Sequence, residues 1–77
     1  MSGKLRGLRG WEVVRALERA GFVVKRVKGS HQVLVHADDK TRRAIVPVHA
    51  TKAIKPGTMR SILKQARLTQ DELEALL

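Results

Sequence analysis

Three side chains in this chain can give and take a proton near neutral pH: His31, His36 and His49. His31 has the most telling setting. It follows Lys28-Gly29-Ser30 and precedes Gln32, so a glycine turn delivers it to the start of a run of β-forming residues. An imidazole there can serve as general base or general acid. His36 lies five residues further on, which puts it on the opposite face of a strand from His31. His49 follows Pro47-Val48, where a structural or binding role is expected. There is no cysteine to act as nucleophile, thiolate ligand or disulfide partner. Asp38 and Asp39 are adjacent in a polar run, and turn formation accounts for them. Three separated histidines without an acidic cluster predict no metal site. No glycine-rich nucleotide loop appears, so no cofactor is expected.

Charge narrows the substrate class. The 77 residues carry 16 Lys and Arg against 7 Asp and Glu, a formal net charge of +9. Residues 1–30 and 31–67 each hold eight bases and two acids, whereas the last ten hold three acids and no base. A pI near 11.3 implies a polyanionic partner. One Trp, one Phe and no Tyr disfavour a platform of stacked bases. RNA carries its own nucleophile, the 2′-hydroxyl, so its cleavage needs a proton shuttle and charge stabilisation rather than a protein nucleophile. His31 can supply the first. Lys28, with Lys25 and Arg26 before it, can supply the second. Arg60, Lys64 and Arg67 recur at spacings of four and three, with Lys52 and Lys55 just upstream, a pattern suited to phosphate contact. The alternative for these cations is a solvated surface. For the whole chain, the alternatives are a non-catalytic RNA-binding module or a small basic protein assembled onto a ribonucleoprotein.

Local patterns predict the elements that position these groups. Val13, Val14, Leu17 and Ala20 form a helical stripe within a helix from Gly10 to Gly21. Phe22 to Val27 reads as a strand, Lys28-Gly29-Ser30 as a turn, and His31 to His36 as a second strand. Ala37 to Lys40 is a polar turn before a third strand, Arg42 to Val48, whose Pro47 belongs at an edge or strand end. A basic loop, Ala50 to Lys55, leads into a helix opened by Pro56 with Met59, Ile62, Leu63 and Ala66 on its apolar face. Thr69 and Glu72 form a capping box for a short acidic helix through Leu73, Leu76 and Leu77. The expected fold is α+β: helix, three-stranded antiparallel sheet, helix, and a short C-terminal helix, with one sheet face open. That layout resembles the double-stranded-RNA-binding domain. If Leu34 points into the core, His31, Val33 and Val35 share the open face and leave two valines exposed. The length predicts one domain, residues 1–77. No apolar run approaches a membrane span, and no secretory signal is apparent, so a cytoplasmic protein is expected.

Four segments, taken in order, resemble the HicA pattern: Ala20-Gly21-Phe22; Lys28-Gly29-Ser30-His31-Gln32; Val46-Pro47-Val48-His49; and Ile54-Lys55-Pro56-Gly57-Thr58-Met59-Arg60-Ser61-Ile62-Leu63-Lys64-Gln65-Ala66. The resemblance covers about residues 10–68. HicA proteins are small mRNA interferase toxins of type II toxin–antitoxin systems. The resemblance implies a fold like the double-stranded-RNA-binding domain and a catalytic histidine after glycine-serine. That position is His31, with Gly29 and Ser30 as the supporting turn. It also implies mRNA as substrate and a HicB-type antitoxin as partner, covering the basic face and blocking His31. Many members carry a second histidine beside the first, where this chain has Gln32. Trp11 likewise stands where a polar residue is more familiar.

Overall fold

The structure is a computed structural model that describes residues 3–77. After a 3-10 turn at Gly3–Leu5, the apolar stripe Val13, Val14, Ala16 and Leu17 is buried on helix α1, Gly10–Arg19. The helix stops before Gly21, whose φ of +101° lies outside the helical region, and the Ala20 amide closes the last turn onto the Ala16 and Leu17 carbonyls at 3.2 and 3.0 Å. At its start the Arg9 amide donates to Glu12 Oε1 at 3.0 Å, satisfying one first-turn donor.

Strands β1 (Phe22–Lys28), β2 (His31–His36) and β3 (Arg43–Pro47) form an antiparallel sheet in that order. β1 runs one residue further than the sequence predicts, because the hairpin turn needs only Gly29 and Ser30. Gly29 has φ +58° and Ser30 does not share the left-handed region, the pattern of a type II′ hairpin turn with glycine first. β3 is shorter than expected by one residue at each end. The pairing nonetheless continues there, from the His36 amide to the Arg42 carbonyl (2.9 Å) and from the Val48 amide to the Ser30 carbonyl (2.6 Å). Pro47 ends an edge strand, where its missing donor costs no ladder bond.

Leu34, Ala44 and Val46 are wholly buried and face the helices together with Phe22. Helix α2, Pro56–Ala66, adds Met59, Ile62, Leu63 and Ala66 to the same cluster. Full burial of each such Leu, Ile or Met contributes about 1.5–3 kcal/mol, so this layer dominates stability. Both long helices therefore cover one sheet face, the α+β layout expected from the element order. The opposite pleat carries His31, Val33 and Val35. The two valines are half-buried rather than exposed, since Val23 and Arg26 on one side and Ile45 and Arg43 on the other pair across them. A bulge between Val24 and Arg26 leaves Lys25 without a partner on β2 and keeps Arg26 on the His31 face.

The predicted basic stripe on α2 breaks at its end. Arg67 caps the helix in the left-handed conformation (φ 56°), which turns its side chain back to the β2–β3 connection. There its guanidinium donates to Thr41 Oγ1 at 2.7 Å and lies 3.5 Å from Asp39. Helix α3, Gln70–Ala75, opens with the predicted capping box. The Glu72 amide donates to Thr69 Oγ1 at 3.0 Å and the Thr69 amide to Glu72 Oε1 at 2.9 Å. Leu73 anchors it in the core. No helix among the described residues is long and apolar enough to cross a membrane.

Candidate active site at the hairpin mouth

The tight β1–β2 turn makes Lys28 and His31 direct cross-strand partners, and the β2–β3 register sets Pro47 on the other side of His31. The end of β3 thus returns to the turn that precedes His31. The bond from the Val48 amide to the Ser30 carbonyl holds it there. Helix α1 begins against the same segment. A Cβ on Gly10 would lie 2.8 Å from Val48 Cα and still closer to the Pro47 carbonyl oxygen, so the helix can approach only without a side chain. The following loop is irregular but tied down. The Lys52 amide donates to the His49 carbonyl (3.0 Å), the Ile54 amide donates to the Leu8 carbonyl (2.7 Å), and Ala53 bridges to Arg9. Buried Ile54 completes the anchor.

His31 is exposed on a ridge between two shallow depressions, which it shares with Pro47 and Thr58. One, of about 440 Å³, continues over Ile45, Gly57, Ser61 and Gln65. The other, of about 330 Å³, continues over His49, Lys52, Ala53, Ile54 and Lys55. Helix α2 starts between them with Lys55 as an N-cap that makes no side-chain capping bond and with Pro56 in its first turn. Such a helix start carries partial positive charge and amides able to receive an anion. Lys52 and Lys55 add full charges, and no acidic side chain lines either depression. His49 Nε2 lies 3.4 Å from Ser30 Oγ, a long contact that links the loop to the turn beneath His31. The arrangement can bind a phosphodiester and move a proton beside it.

Of the residues singled out in the sequence, His31, Ser30, Lys52 and Lys55 come together here, with Gly29 in the turn and Lys28 across the strand. Lys25 sits in the bulge, and Arg26 lies further along the open face. Arg60 lines neither depression, although its guanidinium lies beside Gly57 at the rim of one. Lys64 is exposed and lines neither depression. His36 lies on the opposite face from His31, as its spacing predicts. Its Nδ1 accepts from the Asp38 amide at 3.1 Å, which leaves Nε2 as the protonated nitrogen donating to the Ala20 carbonyl at 3.1 Å. Its ring also stands edge-on to Phe22 at 5.1 Å. Those contacts are structural.

Gln32 pairs with the buried Val46 and lies on the pleat opposite His31. A residue there, histidine included, cannot join His31 in the depressions. The residues that the sequence reading passed over are Thr58 and Ser61, and it expected of His49 a structural or binding role without placing it beside His31. His49 could have been placed by the meander itself, since a third antiparallel strand must end beside the start of the second.

A larger groove of about 550 Å³ lies between α1 and α3, lined by Leu8, Trp11, Arg15 and Leu77 among others. It holds no histidine. Its Arg19 donates to the Leu76 carbonyl at 2.7 Å, and its Glu12 is engaged by the Arg9 amide. Among the described residues no group of three or more His, Asp or Glu side chains could hold a metal ion.

The family model described as HicA toxin of bacterial toxin-antitoxin matches residues 10–68, a stretch from the first residue of α1 to just beyond the cap of α2 that contains His31 and His49. No curated protein matches the chain.

Proposed function

The chain belongs to the HicA toxin family of bacterial toxin–antitoxin systems, and we propose that in this role it is a metal-independent ribonuclease acting on mRNA, with His31 as a general acid or base. One observation carries the reading: an exposed imidazole stands between two depressions whose walls supply lysines, hydroxyls and a helix start, and no carboxylate. A scissile phosphate seated there meets cations where negative charge grows in the transition state, while the imidazole exchanges a proton with the ribose hydroxyl or the leaving oxygen. Lys52, Lys55 and Lys28 hold the phosphate. Lys25, Arg26, Arg60 and Lys64 lie further out and contact more distant backbone, positioning the strand without reading its bases.

The partner in this reading is a HicB-type antitoxin seated on the open sheet face. Val23 and Ile45 are exposed there, with Arg26, Lys28 and Arg43 around them. An apolar patch with an acidic border on the antitoxin complements that surface and covers His31.

The test compares wild type with His31→Ala, purified without the antitoxin, for RNA cleavage in the presence of a chelator and for RNA affinity. Wild type cleaves under chelation; His31→Ala binds RNA with similar affinity and leaves it intact. Folded wild type that binds RNA but never cuts it would make the chain a non-catalytic RNA-binding module.

A further inference from the structure

We propose that His49 is the second proton-transfer residue of this site, paired with His31 as base and acid across one bound phosphodiester. The inference rests on the ribonuclease reading and extends it to the second half of the reaction. Cleavage by the 2′-hydroxyl needs two proton transfers. One imidazole takes the proton from O2′ as the O2′–P bond forms. As the P–O5′ bond breaks, its electron pair leaves on O5′, which receives a proton from a protonated imidazole. The products are a 2′,3′-cyclic phosphate and a 5′-hydroxyl, and no further reactant is consumed. O2′ and O5′ stand on opposite sides of phosphorus in an in-line displacement, so one imidazole cannot reach both at once.

The fold brings a second imidazole to this place. The register of His31 with Pro47 and the bond from the Val48 amide to the Ser30 carbonyl bring residue 49 back to the hairpin mouth. His31 and His49 line the same depression of about 330 Å³, and both are exposed. Ser30 Oγ, 3.4 Å from His49 Nε2, orients the second ring from the turn that presents the first. Lys52 and Lys55 complete the wall and suit the phosphate oxygens between the two rings. The remaining histidine, His36, is held on the other face of the sheet by Ala20 and Asp38. Gln32 is also on that face. The partner imidazole is therefore distant in sequence rather than adjacent.

The experiment uses the full chain and an RNA oligonucleotide containing a site mapped with wild type, made also with sulfur in place of the bridging 5′-oxygen. A thiolate leaves without being protonated, so this substrate spares the acid but not the base. His49→Ala should slow cleavage of the ordinary RNA by about 10²–10⁴-fold while RNA affinity stays within a few-fold of wild type. One of the two variants, His31→Ala or His49→Ala, should recover on the sulfur substrate and the other should not. The pH–rate profile of the His49 variant should also lose one of its two limbs. His49→Gln, which keeps a polar side chain beside Ser30, guards against a folding defect and should be as slow as His49→Ala. Cleavage by both His49 variants within a few-fold of wild type overturns the pairing and leaves His31 as the catalytic residue. So does an equal response of the His31 and His49 variants to sulfur. Failure of the ribonuclease reading looks different: wild type leaves RNA intact, or His31→Ala cleaves as well as wild type.

Discussion

Gly10→Ala and Gly57→Ala make the same chemical change in the first turns of α1 and α2, yet the structure sets their effects on stability in opposite directions. Helix propensity alone favours alanine at both, by up to about 1 kcal/mol and less at a helix start. At Gly57 the new methyl would meet only Arg60 Nη2 at 3.9 Å, an ordinary contact, so a gain of about 0.5 kcal/mol should survive. At Gly10 it would press on the Pro47 carbonyl oxygen and on Val48 Cα at 2.8 Å. Both are backbone atoms, and the Val48 amide is already bonded to Ser30, so neither can rotate aside. Restoring a carbon–carbon contact near 3.5 Å requires α1 and β3 to separate by about 0.7 Å or more. Overpacking of this kind costs about 1–3 kcal/mol, and the rigid partners place Gly10→Ala near the upper end. After the propensity gain the net loss is about 2 kcal/mol. A domain of this length has roughly 4–12 kcal/mol in total. At about 4–8 °C per kcal/mol, Tm should fall by about 8–16 °C for Gly10→Ala and rise by about 2–4 °C for Gly57→Ala. Thermal and urea unfolding followed by far-UV circular dichroism and by Trp11 fluorescence measures both. A Gly10→Ala protein as stable as wild type would refute the close approach of α1 to the end of β3.

Four further outcomes follow from other parts of the structure. His36→Ala removes bonds to the Ala20 carbonyl and the Asp38 amide and should cost about 1–2 kcal/mol in urea unfolding. Cleavage per folded molecule should not change, and selective loss of cleavage would place His36 in the reaction. Lys52→Ala and Lys55→Ala should each reduce the slope of log affinity against log salt by about 0.7 for single-stranded RNA; a double variant with the wild-type slope would remove both from phosphate contact. Thr69→Ala should destabilise the chain by about 1 kcal/mol by uncapping α3. Acid should weaken the same region. The amide and hydroxyl of Thr69 hold the Glu72 carboxyl below its ordinary value of 4.5, and the hydroxyl and amide of Thr41 do the same for Asp39 from 3.8. Lowered folded values mean that these contacts stabilise fully above the ordinary range and lose effect as pH falls through the lowered values. Urea midpoints should therefore drop in acid, and somewhat less steeply for Thr69→Ala, which loses the hydroxyl's share of the Glu72 effect while the residue 69 amide still donates to that carboxylate. An unchanged acid slope in that variant would contradict the capping box.

The helices and strands were legible because their signals act over a few residues. The stripes Val13-Val14-Leu17 and Met59-Ile62-Leu63-Ala66 are buried where periodicity placed them, and Thr69 with Glu72 caps α3 as their spacing implied. Leu34 in the core put His31 on the other pleat, and the glycine turn put it at the mouth of the hairpin. The family resemblance then assigned that histidine a role. Arg67 shows the limit of the same reasoning. Its spacing continued the α2 stripe, but a left-handed cap sent it to Thr41, 26 residues away.

The surroundings of His31 were not legible in the same way. A sequence neighbour, Gln32, marked where a second histidine often stands, yet pleating turns that position toward the helices. The imidazole that shares the depression, His49, is 19 residues from Ser30 and arrives through the strand register, the Val48–Ser30 bond and the close seat of Gly10. The sequence by itself determined the elements, their buried faces and the exposed histidine after the turn, since backbone sterics and apolar spacing are local. Only the tertiary structure decided which charges and which second histidine stand beside His31, because that depends on where three strand ends and two helix starts meet.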